Sequence, residues 1–290
     1  LLLLSSVLLL GGAAGDRFGV RNIFLAGIAL FVAASVACAL ATSPLTLILF
    51  RAVQGLGAAF MVPSSLAIIA KAYPKAERGK AIGIWAAASA MTTIMGPVLG
   101  GFLLTSLGDW SWRLIFAINV PLGAVALSML LFLIPADAPE AGRRLDLVGG
   151  LLATAALLLL TLGLTGSSGT PLTTTIGYAL SGFIVLGGFV WWEARAGAPM
   201  LPLGLFRSAS FSGAQGLTFA LYFSLSAVTF YMPMTVIAGW GESAAVVSLM
   251  LLPLGLAITV LSPISGGLTD RFGPGPMIAA GSLCVAIAFA

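Results

Sequence analysis

Ten apolar runs, separated by short polar or glycine-rich stretches, divide the chain: residues 1–14, 22–42, 44–70, 79–105, 112–134, 147–165, 174–194, 209–237, 244–268 and 276–290. Most are near or above the roughly 20 residues that an α-helix needs to cross a bilayer core. The pattern predicts an all-α polytopic membrane protein. The first and last runs are too short to span and meet the chain ends, and no initiating Met is present. These features read as a fragment cut inside a helix at both ends. Composition agrees: the chain is 60% hydrophobic and 8% charged, with a mean hydropathy of +1.13, against about 25% charged residues in soluble domains. Residues 1–14 share the apolar core of a signal peptide but lack its basic start and cleavage site.

The polar positions set an orientation. Loops at 15–21, 71–78, 135–146, 195–208 and 269–275, with Lys80 just beyond the second, hold eleven of the thirteen Lys and Arg residues. The opposite loops, near 43, 106–111, 166–173 and 238–243, are flanked only by Arg113. Lys and Arg collect on the cytoplasmic side, so the first set is expected inside and the cell inner membrane is the expected location. The net charge of +4 sits in these loops and does not indicate nucleic acid. All nine acids fall in loops or at helix ends, so no membrane-buried carboxylate is expected in this chain. Cys38 and Cys284 lie in apolar runs and read as core residues. With no His, a metal site lacks its usual ligands, and no cofactor is expected.

One phrase occurs twice. Residues 11–22 read GGAAGDRFGVRN and residues 266–276 read GGLTDRFGPGP. Gly12 and Gly15 allow helices to approach closely, and Gly19 permits the positive φ of a tight turn. Asp16 and Asp270 end inward-running helices, where the macrodipole disfavours negative charge. Their partners are expected elsewhere, in an Arg or in the N-terminus of another helix. The two copies divide the chain into a bundle at 1–134, linkers and two plain helices at 135–207, and the start of a second bundle at 208–290. Parallel internal repeats of this kind mark secondary transporters.

Three further stretches carry candidate chemistry. In LILFRAVQGLGAAFMVPSS, Arg51 lies about 10 Å into its helix, on one face with Gln54, Ala58, Met61 and Ser65. An Arg at membrane depth is a functional candidate; the competing reading is snorkelling to the outer interface. In GIWAAASAMTTIMGPVLGGFLL, Pro97 kinks the helix and Gly96, Gly100 and Gly101 form a smooth face. In 209–237, Gln215, Thr218, Tyr222, Ser226 and Thr229 recur at helical spacing. That stripe either lines a cavity or bonds to another helix. Met61 joins the cavity candidates.

These motifs together resemble the major facilitator superfamily. Gly12, Gly15, Asp16, Arg17, Gly19 and Arg21 fit its loop signature G-x-L-A-D-R-x-G-R-K, with Ala14 and Val20 departing. The second copy keeps Asp270, Arg271 and Gly273 but ends in prolines. In the family this element latches the cytoplasmic side. Arg51, Gln54 and Gly55 resemble its R-x-x-Q-G pattern, whose Arg is implicated in proton transfer. Gly83, Gly96, Pro97, Gly100 and Gly101 resemble the antiporter signature, with Thr92 in place of its middle glycine. DWSWRLIFAINVPLG, the later tracts and the pair at 147–194 resemble the drug:proton antiporter branch with fourteen helices. The resemblance implies a multidrug exporter of hydrophobic or amphipathic molecules, driven by the proton gradient through alternating access. It also admits a periplasmic adaptor and an outer-membrane channel as partners. A metabolite or sugar exporter or facilitator of the same fold is the alternative within transport. A membrane enzyme lacks His and intramembrane acids for acid–base chemistry, and a scaffold leaves Arg51 without purpose.

Overall fold

The structure is a computed structural model that describes residues 2–137, 146–165, 171–242 and 244–289. Eleven α-helices run through these residues: α1 (Leu2–Phe18), α2 (Val20–Ala39), α3 (Pro44–Ala72), α4 (Arg78–Leu107), α5 (Trp112–Ala117), α6 (Asn119–Leu133), α7 (Leu147–Thr165), α8 (Leu172–Glu193), α9 (Ala209–Met234), α10 (Ala244–Phe272) and α11 (Pro274–Phe289). No strand occurs among the described residues. Helices dominate because backbone groups in hydrocarbon must be satisfied within their own segment. Among the described residues, seven stretches are long and apolar enough to cross a membrane, Val20–Ala39, Pro44–Ala72 and Ala209–Gly239 included. The all-α, multi-pass reading of the apolar runs therefore holds.

Helix ends follow local chemistry. Gly19, Gly108 and Gly273 adopt φ of 90°, 80° and 82° directly after α1, α4 and α10. Pro44 and Pro274 open α3 and α11, where a missing N–H costs no intrahelical bond. Pro121 cannot donate to Ala117, and a break separates α5 from α6 at Ile118. α9 contains Pro233 and runs into a π-helical turn, Thr235–Gly239. Most of the linker expected at 135–146 and of the outer loop at 166–173 lies outside the described residues.

The chain forms two compact units, Leu1–Ile68 with Asp109–Leu203, and Ile69–Gly108 with Gly204–Ala290. In the first, α1 packs on α2 and α7, α2 on α5 and α6, and α7 on α8. Small residues set such crossings, the approach of α3 to α2 and of α7 to α8 included. A Cβ on Gly57 would lie 2.7 Å from the Phe31 nitrogen of α2, and one on Gly163 would lie 2.5 Å from the Ala179 nitrogen of α8. Thr154 on α7 donates to the Ser6 carbonyl of α1 at 3.0 Å. In the second unit, α4 lies along α10, which also touches α9 and α11.

Candidate functional site

Arg51 stands on the eighth residue of α3. Its Nη1 donates to Gln54 Oε1 at 2.8 Å, and its guanidinium lies 5.6 Å from the centre of the Phe116 ring. Gln54 is 3% exposed, and its Nε2 donates to Ser35 Oγ on α2 at 2.5 Å. Asn119, the first residue of α6, donates to the same oxygen at 3.2 Å. Three helices thus converge on one polar cluster, in which Ser35 and Gln54 are buried and Arg51 is exposed. A buried polar network is stable only when its members are satisfied. Among the described residues, no carboxylate pairs with Arg51. Of its proposed helical face, Ala58, Met61 and Ser65 are half-buried. Met61 Cγ would lie 3.1 Å from a Cβ on Gly27, so this side chain packs against α2.

The two copies of the repeated phrase share a local geometry. In each, a helix ends at an Arg-Phe pair, and the following glycine takes a positive φ, at Gly19 and Gly273. Asp270 accepts from the backbone N–H groups of Gly79 (2.8 Å) and Lys80 (2.9 Å), the second and third residues of α4. Its charge therefore sits at the positive end of another helix, which offsets its position at the end of α10. Arg271 is exposed.

In the first copy, Gly12 and Gly15 face α3. A Cβ added to Gly12 would lie 3.8 Å from Pro63 Cβ, and one added to Gly15 would lie 3.9 Å from Ser64 Oγ. Asp16 lines a cleft of about 370 Å³ with Asp146, Pro199 and Met200. Arg17 is exposed, its guanidinium 5.3 Å from the centre of the Phe18 ring. Arg21 reaches α6, donating to the carbonyls of Leu130 (3.2 Å) and Leu131 (2.8 Å). In return, Asp137 beyond α6 accepts from the N–H groups of Val20 (2.7 Å) and Arg21 (3.1 Å). Acid at an N-terminus and base at a C-terminus each complement the local dipole. Asp137→Ala is expected to destabilise the full-length protein by about 0.5–2 kcal/mol, the range for a lost N-terminal cap. A thermal melt in detergent that is unchanged by the substitution would contradict this.

The residues of the antiporter-like stretch all lie in α4. Gly83 faces α10, where an added Cβ would overlap the Ser262 carbonyl oxygen. Gly96 has open space at that position, and Gly100 is buried. Thr92 Oγ1 donates to the Ala88 carbonyl at 2.8 Å within the same helix. Pro97 and Gly101 are helical, and their side-chain surroundings fall outside the described ones.

The polar stripe forms one face of α9. Gln215, Thr218, Tyr222 and Ser226 line an open groove of about 430 Å³ together with Phe219 and Phe223. Those two rings stack with centroids 6.3 Å apart. Thr229 lines the adjoining hollow with Phe230 and Tyr231, and its hydroxyl donates to the Leu225 carbonyl at 2.9 Å.

Sequence reasoning passed over Ser35, Asn119, Phe116 and Asp137. Asn119, the one amide in its apolar run and two residues before a proline, was the available signal. One expectation also needs correction. Glu193 ends α8, inside a membrane-length stretch, and is 3% exposed. A position at a helix end did not expose it, because the following chain folds back and the Leu201 N–H donates to its Oε2 at 3.0 Å.

Proteins of known family share this sequence and fold. The chain is 35% identical over 289 residues to the tetracenomycin C resistance and export protein of Streptomyces glaucescens, covering 99% of this chain and 53% of that protein. It is 36% identical over 273 residues to the multidrug resistance protein Stp of Mycobacterium tuberculosis, covering 93% and 50%. The methylenomycin A resistance protein of Bacillus subtilis is 33% identical over 284 residues, covering 96% and 59%. The chain thus spans about half the length of the curated relatives it matches. Among solved structures, the proton:xylose symporter XylE bound to 6-bromo-6-deoxy-D-glucose superposes with a TM-score of 0.60 at 19% identity, over 95% of this chain and 59% of that one; this likeness concerns the fold. Residues 1–290 match the Major Facilitator Superfamily throughout, and the chain belongs to that family of transporters.

Proposed function

We propose that this chain is part of a proton-coupled exporter of hydrophobic or amphipathic small molecules, of the branch with fourteen helices. The observation that carries the reading is the Arg51 cluster. An Arg within a membrane-length helix costs roughly 2.5–3.5 kcal/mol at the helix centre on insertion scales; Arg51 is exposed in such a helix, and its bonding partner is a neutral amide. Its charge remains available to a carboxylate elsewhere in the full-length protein, so protonation of that group alters the attraction between the two. The names of the resistance and export relatives support the outward direction. The paired helices α7 and α8 support the inserted pair of the fourteen-helix branch, and the basic loops support an inner-membrane topology with those loops cytoplasmic.

In this reading, the bonds from the start of α4 to Asp270 hold the inner side closed, and the α9 groove with its aromatic neighbours contributes to substrate binding. The test is uptake of ethidium and rhodamine 6G into everted vesicles carrying the full-length protein. Accumulation is expected to build with an imposed proton gradient and to collapse on addition of a protonophore. Uptake indifferent to the gradient would remove the coupling, and failure to move either dye would remove the substrate class.

A further inference from the structure

We propose that Ser35 and Asn119 are positioning residues for Arg51 and act through Gln54; this rests on the coupling role just proposed. A hydroxyl has one proton to donate and two lone pairs to accept with. Ser35 is fully buried. Its Oγ donates to the Phe31 carbonyl at 2.9 Å and accepts from Gln54 Nε2 and from Asn119 Nδ2. All its capacity is used.

Because the Ser35 proton is committed to Phe31, this oxygen can only accept from Gln54. That fixes which end of the Gln54 amide points inward: nitrogen to Ser35, oxygen to Arg51. The reversed amide would set its NH₂ group against the Arg51 guanidinium and its oxygen against the Ser35 oxygen. Donor would then face donor, and acceptor would face acceptor. The serine thereby selects the one amide orientation that can hold the guanidinium. Burial strengthens the selection, since a mismatched polar group has no water to turn to.

Asn119 secures the same oxygen from a third helix. It stands directly after the break at Ile118 that Pro121 enforces. The segment before that break presents Phe116 beneath the guanidinium. One discontinuity therefore places both an anchor for Ser35 and a ring for Arg51. Neither Ser35 nor Asn119 has a hydrogen bond to Arg51 itself, so any influence on coupling passes through Gln54 or the shared packing.

The experiment uses full-length protein in proteoliposomes, with ethidium as the probe. Ser35→Ala is expected to lower proton-driven uptake about tenfold and to shift the pH of half-maximal transport, with ethidium binding affinity unchanged. Ser35→Thr, which keeps the hydroxyl, is expected to restore both. Asn119→Ala removes one of the two bonds and is expected to give a smaller shift in the same direction, which keeps a readout should Ser35→Ala fold poorly. In a Gln54→Leu background, Ser35→Ala is expected to add no further loss, because both changes break one chain. A Ser35→Ala protein with an unchanged pH profile would overturn the assignment, as would losses that multiply with those of Gln54→Leu. Arg51→Ala with full proton-driven uptake would remove the coupling role and this inference with it.

Discussion

Arg51→Ala is expected to lower proton-driven uptake by at least on the order of a hundredfold while the full-length protein still inserts at normal yield. Insertion should not suffer, because the substitution removes a side chain that costs roughly 2.5–3.5 kcal/mol at membrane depth. What is lost is a fixed charge within a preorganised cluster, and misplacement of such a group by about 1 Å already costs on the order of a hundredfold. Arg51→Lys keeps the charge but presents a point ammonium on a flexible stem instead of a planar fork. It is expected to retain a fraction of the activity. The competing account has Arg51 snorkelling to the outer interface. A snorkelling side chain on the eighth residue of α3 would run toward the nearby helix start. Arg51 is exposed, yet its guanidinium bonds to the buried Gln54, one turn further along the helix. Near-normal coupled transport by Arg51→Ala would nevertheless favour the snorkelling account, since a solvated side chain can be removed at little cost.

Much of the fold was legible because hydrocarbon imposes a simple rule. A backbone with no water must bond to itself, so apolar runs of membrane length become helices, and the glycine and proline positions between them mark the ends. Gly19 shows the same legibility at a single residue: the sequence predicted a positive φ there and the residue adopts it, and Gly273 in the second copy does the same. The sequence also posed the question of Asp270, whose helix end disfavours its charge. What it could not supply was the partner, since Gly79 and Lys80 lie about 190 residues away and offer backbone N–H groups that leave no compositional trace. Ser35 was hidden for a related reason. A serine in a run of alanines and valines looks like a small packing residue, and only the approach of Gln54 and Asn119 from two other helices makes it the centre of a network. Glu193 was legible as a helix-end acid, but its burial was not, because that depends on the chain beyond it, which returns.

Two adjacent glycines in the second copy of the repeated phrase are expected to respond to alanine in opposite ways. Gly266 and Gly267 are both in α10, and by helix propensity alone each replacement gains up to about 1 kcal/mol. Packing separates them. A Cβ on Gly266 would overlap the Gly79 carbonyl oxygen of α4, whereas one on Gly267 meets nothing within 4 Å. The obstacle at Gly266 is backbone, which cannot rotate aside as a flexible side chain would, so the two helices must separate. Separation also pulls Asp270 from the N–H groups of Gly79 and Lys80, which lie one turn along the same seam. Overpacking typically costs about 1–3 kcal/mol, and each charge-assisted bond a further ~1.5–3 kcal/mol, so Gly266→Ala is expected to lower the melting temperature of the full-length protein and its transport together. Gly267→Ala is expected to leave both intact or to raise the melting temperature slightly. Equal tolerance at the two positions would mean that the close approach of α4 and α10 is not what these glycines serve. Restoration of transport in Gly266→Ala by shortening the facing residue is not available, because the facing group is already a glycine, so contact between the two backbones is the feature the pair reads out.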